Sequence, residues 1–402
     1  MSLTRVKDHA VQVMRMAVVV VAISFRSMTK PIYKINFLIL FLCIFNIQHV
    51  LAEVLPEERA DIGYHYYDGG GVEVDGPMML VRKNFSGKYS VYGGYHHDSI
   101  SGASPDVLAG ASKYDEDRDE YTIGGTYLRD NTLMDLSYSY SDEDDYESNT
   151  VSFDVSHEAF GALTKVNIGA SVGADDVERN DLPSFDEDLD RYSFRAGLSQ
   201  VITKTSVVAF NYEATVEEGF LNNPYRFVFI NGISQGSGSE EYPDTRTGQA
   251  FSLKGIKYWQ HRASTSLGYR FYTDTWDIDS STVDLNYSQY IGNQWVVDVY
   301  GRYYTQNKAD FYSDNFSTRL RYMARDKELS TFDSFSIGGR VRYDLFKDYK
   351  SLRTASLTLA VEYLDYEYDD YSGIESVADV GSLGSGYSFD ATTIHFYFSA
   401  WF

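Results

Sequence analysis

Two adjacent histidines and an aspartate, His96-His97-Asp98, are the side chains of this sequence best suited to chemistry. An imidazole beside a carboxylate can serve as a general base that activates a nucleophile, as a surface hydrolase would require. The pattern is incomplete. Extended backbone sends consecutive side chains to opposite faces, so His96 and His97 cannot address one substrate from a strand. Neither a serine elbow nor a helical pair of metal-binding histidines accompanies them. A nucleophile, its base and an orienting group cannot all be named, so a hydrolase is the third and weakest functional expectation, with no catalytic residue assigned.

Asp115, Asp117 and Asp119 repeat at the odd positions of a calcium loop, where a sharply turning backbone collects oxygen ligands. Glu120 stands where that loop needs glycine, and Thr126 where it needs a bidentate glutamate. The expectation is therefore a solvated acidic loop with no dedicated metal and no cofactor. Asp142, Asp144 and Asp145 belong to a second acidic run. Such loops could bridge divalent cations to anionic lipopolysaccharide, which would offset their mutual repulsion.

A third set consists of Arg191, Arg195, Arg270, Arg302, Arg340 and Arg342, with Asp284, Asp298 and Glu362. These occupy the polar positions of segments in which polar and apolar residues alternate. Two readings follow if those segments enclose a lumen. The charges form a constriction favouring anions or zwitterions, or they pair across strands and stabilise the wall.

The alternation itself extends along most of the chain. Val283-Leu285-Tyr287, Trp295-Val297-Val299 and Leu357-Leu359-Val361-Tyr363 are clear instances. Reading with a period of two predicts about sixteen strands, each close to the length a tilted transmembrane strand needs. Connections expected to be short fall at 86–88, 129–131, 157–163, 201–205, 259–262, 290–293 and 346–350. Longer ones fall at 68–76, 98–119, 141–148, 174–189, 217–247, 274–280, 306–332 and 367–387. Short turns alternating with long loops are what a membrane barrel with both termini in the periplasm requires. The first two strands (59–67, 77–85) and the tenth (248–258) carry the weakest patterns, and loss of one pair would leave fourteen. The expected fold is an all-β, transmembrane, antiparallel up-and-down barrel. A soluble sandwich explains alternation equally well, but not the ordering of connections or the end of the chain.

That end is informative. Ile394, Phe396, Phe398, Ala400 and Phe402 share one face of a terminal strand. An apolar-out strand closing on Phe402 suits recognition by the machinery that inserts bacterial outer-membrane barrels, with Phe396, Phe398 and Phe402 as its signal. At the other end, Lys30 and Lys34 precede an apolar run from Phe37 to Phe45, and Val50 with Ala52 form a small-residue site. This reads as a secretory signal peptide cleaved after Ala52, leaving residues 53–402 as one barrel domain. Met28 would begin a leader of ordinary length; Met1 adds a second short apolar run, Ala17 to Ile23. About six residues separate Glu53 from the first strand, too few for a folded plug.

Composition supports export into a membrane. Cys43, the only cysteine, lies inside the leader, so no thiol chemistry survives processing. The full chain carries a net charge of −23; without residues 1–52, 29 basic and 57 acidic residues give −28, which excludes nucleic acid as a partner. The 35 tyrosines and 24 phenylalanines fit aromatic girdles at two lipid interfaces. Expected partners are outer-membrane lipid, lipopolysaccharide, the assembly machinery and a small polar solute.

The segments Tyr269 to Ile278, Arg302 to Tyr312 and Asp326 to Ser330 resemble an uncharacterised family of Gram-negative outer-membrane proteins about four hundred residues long, a domain of unknown function. The resemblance implies a barrel and the outer membrane, and it brings no site residues. The leading functional expectation is a porin-like diffusion channel for small polar solutes. The alternative is a non-conducting barrel whose acidic loops bind divalent cations, lipopolysaccharide or a partner.

Overall fold

A computed structural model describes residues 53–102, 114–349, 352–373, 383 and 386–402. The proposed leader and parts of the 98–119 and 367–387 connections lie outside these residues.

Sixteen antiparallel strands close into one cylinder. In chain order they are β1 (Arg59–Gly69), β2 (Val72–Phe85), β3 (Tyr89–Gly102), β4 (Tyr114–Arg129), β5 (Thr132–Asp142), β6 (Tyr146–Ala159), β7 (Thr164–Glu178), β8 (Asp186–Thr203) and β9 (Ser206–Gly219). The short β10 (Phe229–Ile230) and β11 (Ile233–Ser234) form a separate ribbon. The wall resumes with β12 (Thr245–Trp259), β13 (Ala263–Asp274), β14 (Asp279–Ile291), β15 (Trp295–Gln306), β16 (Phe332–Tyr349), β17 (Leu352–Tyr368) and β18 (Tyr387–Trp401). β1 seals against β18 from Arg59↔Trp401 to Gly69↔Ala391, so the sheet has no free edge. Closure lets the ladder N–H and C=O groups pair within the wall, as hydrocarbon demands.

Side-chain alternation assigns the two faces. Ile62, Met79, Ile123, Leu136, Leu267, Leu285 and Leu359 lie exposed on the outside, where only lipid could cover them. Phe398 pairs with Ile62 and Phe396 with Tyr64, which puts the terminal aromatics on that same outer face. Aromatic side chains mark two belts. Trp259, Tyr290 and Trp295 lie near the end bearing the termini, and Tyr64, Tyr121, Tyr303 and Tyr363 lie toward the other. Trp295 and Tyr303 are eight residues apart on β15. That spacing is about 27 Å along the strand and about 21 Å of height at a tilt near 40°, close to the apolar band of a membrane barrel.

The connections at the terminal end are all short: 86–88, 130–131, 160–163, 204–205, 260–262, 292–294 and 350–351. Several connections expected to be long prove tight. The 68–76 loop is a turn of Gly70-Gly71, both at positive φ, a conformation that glycine adopts without steric cost. The 141–148 loop shrinks to 143–145, and 274–280 to 275–278. The strands run past the membrane band, so polar composition there marks the end of lipid contact and not the end of pairing. Asp142 consequently belongs to β5, and Asp117 and Asp119 pair with Ser99 and His97 inside the β3–β4 ladder. Extended backbone at 114–129 excludes a turning calcium loop at these positions.

Candidate functional site: the lumen and its capped mouth

Inward positions of the strands carry polar and charged side chains, and register decides what each meets. Arg191 of β8 binds Asp175 of β7, with Nη2 2.9 Å from Oδ1, and also donates to Ser148. Arg195 reaches Asp154 at 3.0 Å, Arg340 binds Asp298 at 2.8 Å, Arg342 meets Asp344 at 3.3 Å and Arg270 lies 3.6 Å from Glu213. Asp284 is contacted by Lys254 at 3.4 Å. Among the described residues, Arg302 and Glu362 make no ion pair. Five of the six arginines therefore stand beside carboxylates, Arg191, Arg195, Arg270 and Arg340 across strands and Arg342 along its own strand. Sequence reading missed Asp154, Glu213 and Lys254 and assigned Asp175 to the 174–189 connection instead of β7, because only the register reveals which inward positions are neighbours.

The upper mouth is roofed by three connections. Residues 220–244, 307–331 and 369–373 pack on one another and on the 275–278 turn around Tyr242, Trp276, Ile278, Phe311 and Leu329. This apolar cluster rests on Tyr272, an inward residue of β13, so the 217–247 connection folds toward the lumen. Tyr242 and Trp276 meet edge to face, with ring centroids 5.5 Å apart. A polar hub holds the roof together. Arg325, 3% exposed, places Nε 3.0 Å from Asp314 Oδ1, donates to the Ser372 carbonyl and lies against the Phe229 and Tyr371 rings. One guanidinium thus ties all three loops.

Glu240 is equally buried. Its carboxylate accepts the Tyr242 hydroxyl at 2.7 Å and the Arg325 backbone N–H at 2.6 Å. Burial, reinforced by the nearby Asp326 carboxylate, pushes the Glu240 carboxyl up from 4.5 to about 7. Burial likewise carries the Tyr242 phenol well above its ordinary range.

Between this roof and the opposite wall lies a cavity of about 1060 Å³. Eight of its lining side chains are acidic, among them Glu116, Glu143, Asp144 and Asp145, and three are basic. These acidic residues come partly from strand ends and partly from connections. Below, a second cavity of about 560 Å³ is lined by inward residues of β1 to β4 and β18, including Met78, His96, Glu120 and Tyr397. At the terminal end the chain before β1 reaches across to β7, where Lys165 Nζ lies 2.8 Å from Glu53.

The His96-His97-Asp98 group divides as strand geometry requires. His97 turns outward and meets Asp119 at 2.9 Å, while His96 and Asp98 turn inward. There they meet His65 of β1, which sequence reading did not single out; its Nε2 lies 2.6 Å from Asp98 Oδ1.

A closed antiparallel cylinder of this size, apolar outside and charged within, has the fold of the outer-membrane β-barrels. The chain belongs to the family described as Protein of unknown function (DUF3570), whose model matches residues 183–384 and includes the segments that carried the resemblance. Among solved structures it is similar to a bacterial polysaccharide outer membrane secretin, with TM-score 0.50 and 8% identity over 87% of this chain and 100% of that one. It is also similar to a FadL homologue from Pseudomonas aeruginosa (TM-score 0.41, 10% identity, 86% of this chain and 90% of that). Against the siderophore receptor PirA from Pseudomonas aeruginosa the TM-score is 0.41 at 11% identity, over 80% of this chain and 60% of the receptor. At such identities the likeness is one of fold alone. No curated protein matches the chain.

Proposed function

We propose that the protein is a porin-like diffusion channel of the Gram-negative outer membrane that passes small polar solutes and favours cations at its outer mouth. The observation that carries this reading is the charged inner face of a sixteen-stranded wall. Barrels of that size leave an aqueous interior, where smaller ones fill with side chains. Ionised groups such as Arg195 with Asp154, both substantially exposed on the inside, would be costly in a dry cavity. Because most of the lumen arginines are paired, selectivity passes to the acidic vestibule. The test is conductance in planar bilayers with the folded, detergent-purified protein. Discrete conductance steps with a cation-selective reversal potential are expected; a folded protein that never conducts removes the reading.

The channel reading includes export by a leader cleaved after Ala52 and insertion directed by Phe396, Phe398 and Phe402. Edman sequencing of the membrane-inserted protein should begin at Glu53. No enzymatic role is assigned, since His97 and Asp98 point to opposite faces of the wall.

A second reading is favoured by the roof, whose apolar core is that of a folded lid. In it the lumen does not conduct, and the acidic rim binds divalent cations, lipopolysaccharide or a partner. Replacing Asp142, Asp144 and Asp145 by asparagine should then weaken Mg²⁺-dependent binding of lipopolysaccharide micelles, and an unchanged response counts against it.

A further inference from the structure

We propose that His65, His96 and Asp98 form a lumen-facing site for a divalent first-row transition metal. The three come from β1 and β3, which are not neighbours; β2 runs between them. Two strand spacings separate the outer pair by about 9.6 Å, and only an absent side chain on β2 lets them meet. That position is Gly76. It pairs with His65 on one side, and a Cβ there would lie 1.8 Å from the His97 carbonyl oxygen on the other. The β2–β3 ladder skips Gly76 and Pro77, so the backbones approach closely and His65 reaches Asp98 across the gap.

The donor set is suited to a metal. One atom from each residue, two imidazole nitrogens and one carboxylate oxygen, can be chosen so that all lie within 4.8 Å of one another. His65 Nε2 is 2.6 Å from Asp98 Oδ1 and His96 Nε2 is 3.7 Å from the same oxygen. Donors about 2.1 Å from a tetrahedral ion stand roughly 3.4 Å apart, between those two values. The histidine rings lie 4.7 Å apart, and His395 faces His65 from β18 at 6.4 Å.

His65 supplies the independent observation. It is 8% exposed; Nδ1 has no hydrogen-bond partner, and the close polar contact of Nε2 is Asp98 Oδ1. Buried imidazole nitrogens are ordinarily satisfied, and a cation between Nε2 and Asp98 Oδ1 would use one of them. The other oxygen of Asp98 accepts from Arg118, whose Nε lies 3.9 Å from Glu143. This outer contact would fix the carboxylate's orientation, as partners beyond the ligands do in metal sites. Two nitrogens with one oxygen select zinc, cobalt, nickel or copper over calcium or magnesium, which prefer oxygen alone. His96 also lines the 560 Å³ cavity, which gives the ion a route from the lumen.

The inference does not depend on conduction. Its test is titration of the folded, detergent-solubilised full barrel with Zn²⁺ by calorimetry after chelator treatment, with Co²⁺ absorption as a second readout. One saturable equivalent is expected, weakened at least tenfold by His65→Ala or by His96→Ala and unchanged by His97→Ala, whose imidazole faces outward. Folding of each variant is verified by its heat-shifted migration on gels; if His65→Ala fails to fold, His96→Ala and Asp98→Asn decide. Absence of saturable Zn²⁺ binding to the folded parent, or binding indifferent to the inward substitutions that fold, overturns the proposal.

Discussion

Glu240 makes the roof sensitive to pH, and the sign follows from the direction of its shift. Its carboxyl rises from 4.5 to about 7 because the group is buried beside Asp326. A carboxyl whose pKa is higher in the closed roof than in the opened one contributes stability that is complete below 4.5 and lost as pH rises through about 7. Between pH 5 and 8 the change is on the order of 2–3 kcal/mol, or one to two orders of magnitude in the opening equilibrium. Hydrogen exchange read by mass spectrometry over 220–244 and 307–331, corrected for intrinsic rates, should show protection falling by that order across the interval. Strand peptides such as those of β13 and β14 should not change. Glu240→Gln keeps the shape, removes the titration and should flatten the response. Wild-type protection independent of pH, or a Glu240→Gln variant with the parent's dependence, would refute the assignment.

Three further outcomes follow from the same geometry. Arg325→Ala leaves Asp314 buried without its cation and should cost the roof about 3–5 kcal/mol, seen as rapid proteolytic cleavage within 307–331 while the barrel keeps its heat-shifted gel mobility. Phe229, fully buried, packs edge to face on Phe227 at 5.4 Å; Phe229→Ala should cost about 3–4 kcal/mol locally, read as lost exchange protection in 220–244. Replacing Glu143, Asp144 and Asp145 together by neutral isosteres should move the reversal potential toward zero in a salt gradient, and an unmoved potential would detach selectivity from the vestibule.

Much of the wall was legible because hydrocarbon imposes a strict period. Leu267, Tyr269 and Phe271 had to share one face whatever strand lay beside them, and the seven short turns could be placed from local composition. Loop lengths were overestimated for a definite reason. Asp68 to Gly76 and Asp142 to Ser148 are polar, yet they continue to pair above the lipid, where alternation no longer needs apolar residues. The lumen was legible as a set of charged positions but not as pairs. Arg195 meets Asp154 from two strands away because Gly169 lies between them, and no local pattern encodes that neighbour. His65 escaped notice for the same reason: its partners are thirty residues distant and meet it only over Gly76. The length of the 217–247 connection allowed it to fold inward, but the packing of the roof was not legible, since Tyr242, Trp276 and Phe311 carry no periodicity and cohere only in three dimensions.

The central claim is a wall with lipid on one side and water on the other, and alternate-residue labelling of one strand tests it most directly. Cys43 is the only cysteine in the sequence, so single cysteines can be placed in turn from Val283 to Ser288 of β14 in protein reconstituted into liposomes. A small charged thiol reagent should modify positions 284, 286 and 288 and spare 283, 285 and 287. Uniform reactivity, or inward positions as inert as the outward ones, would contradict a water-lined barrel.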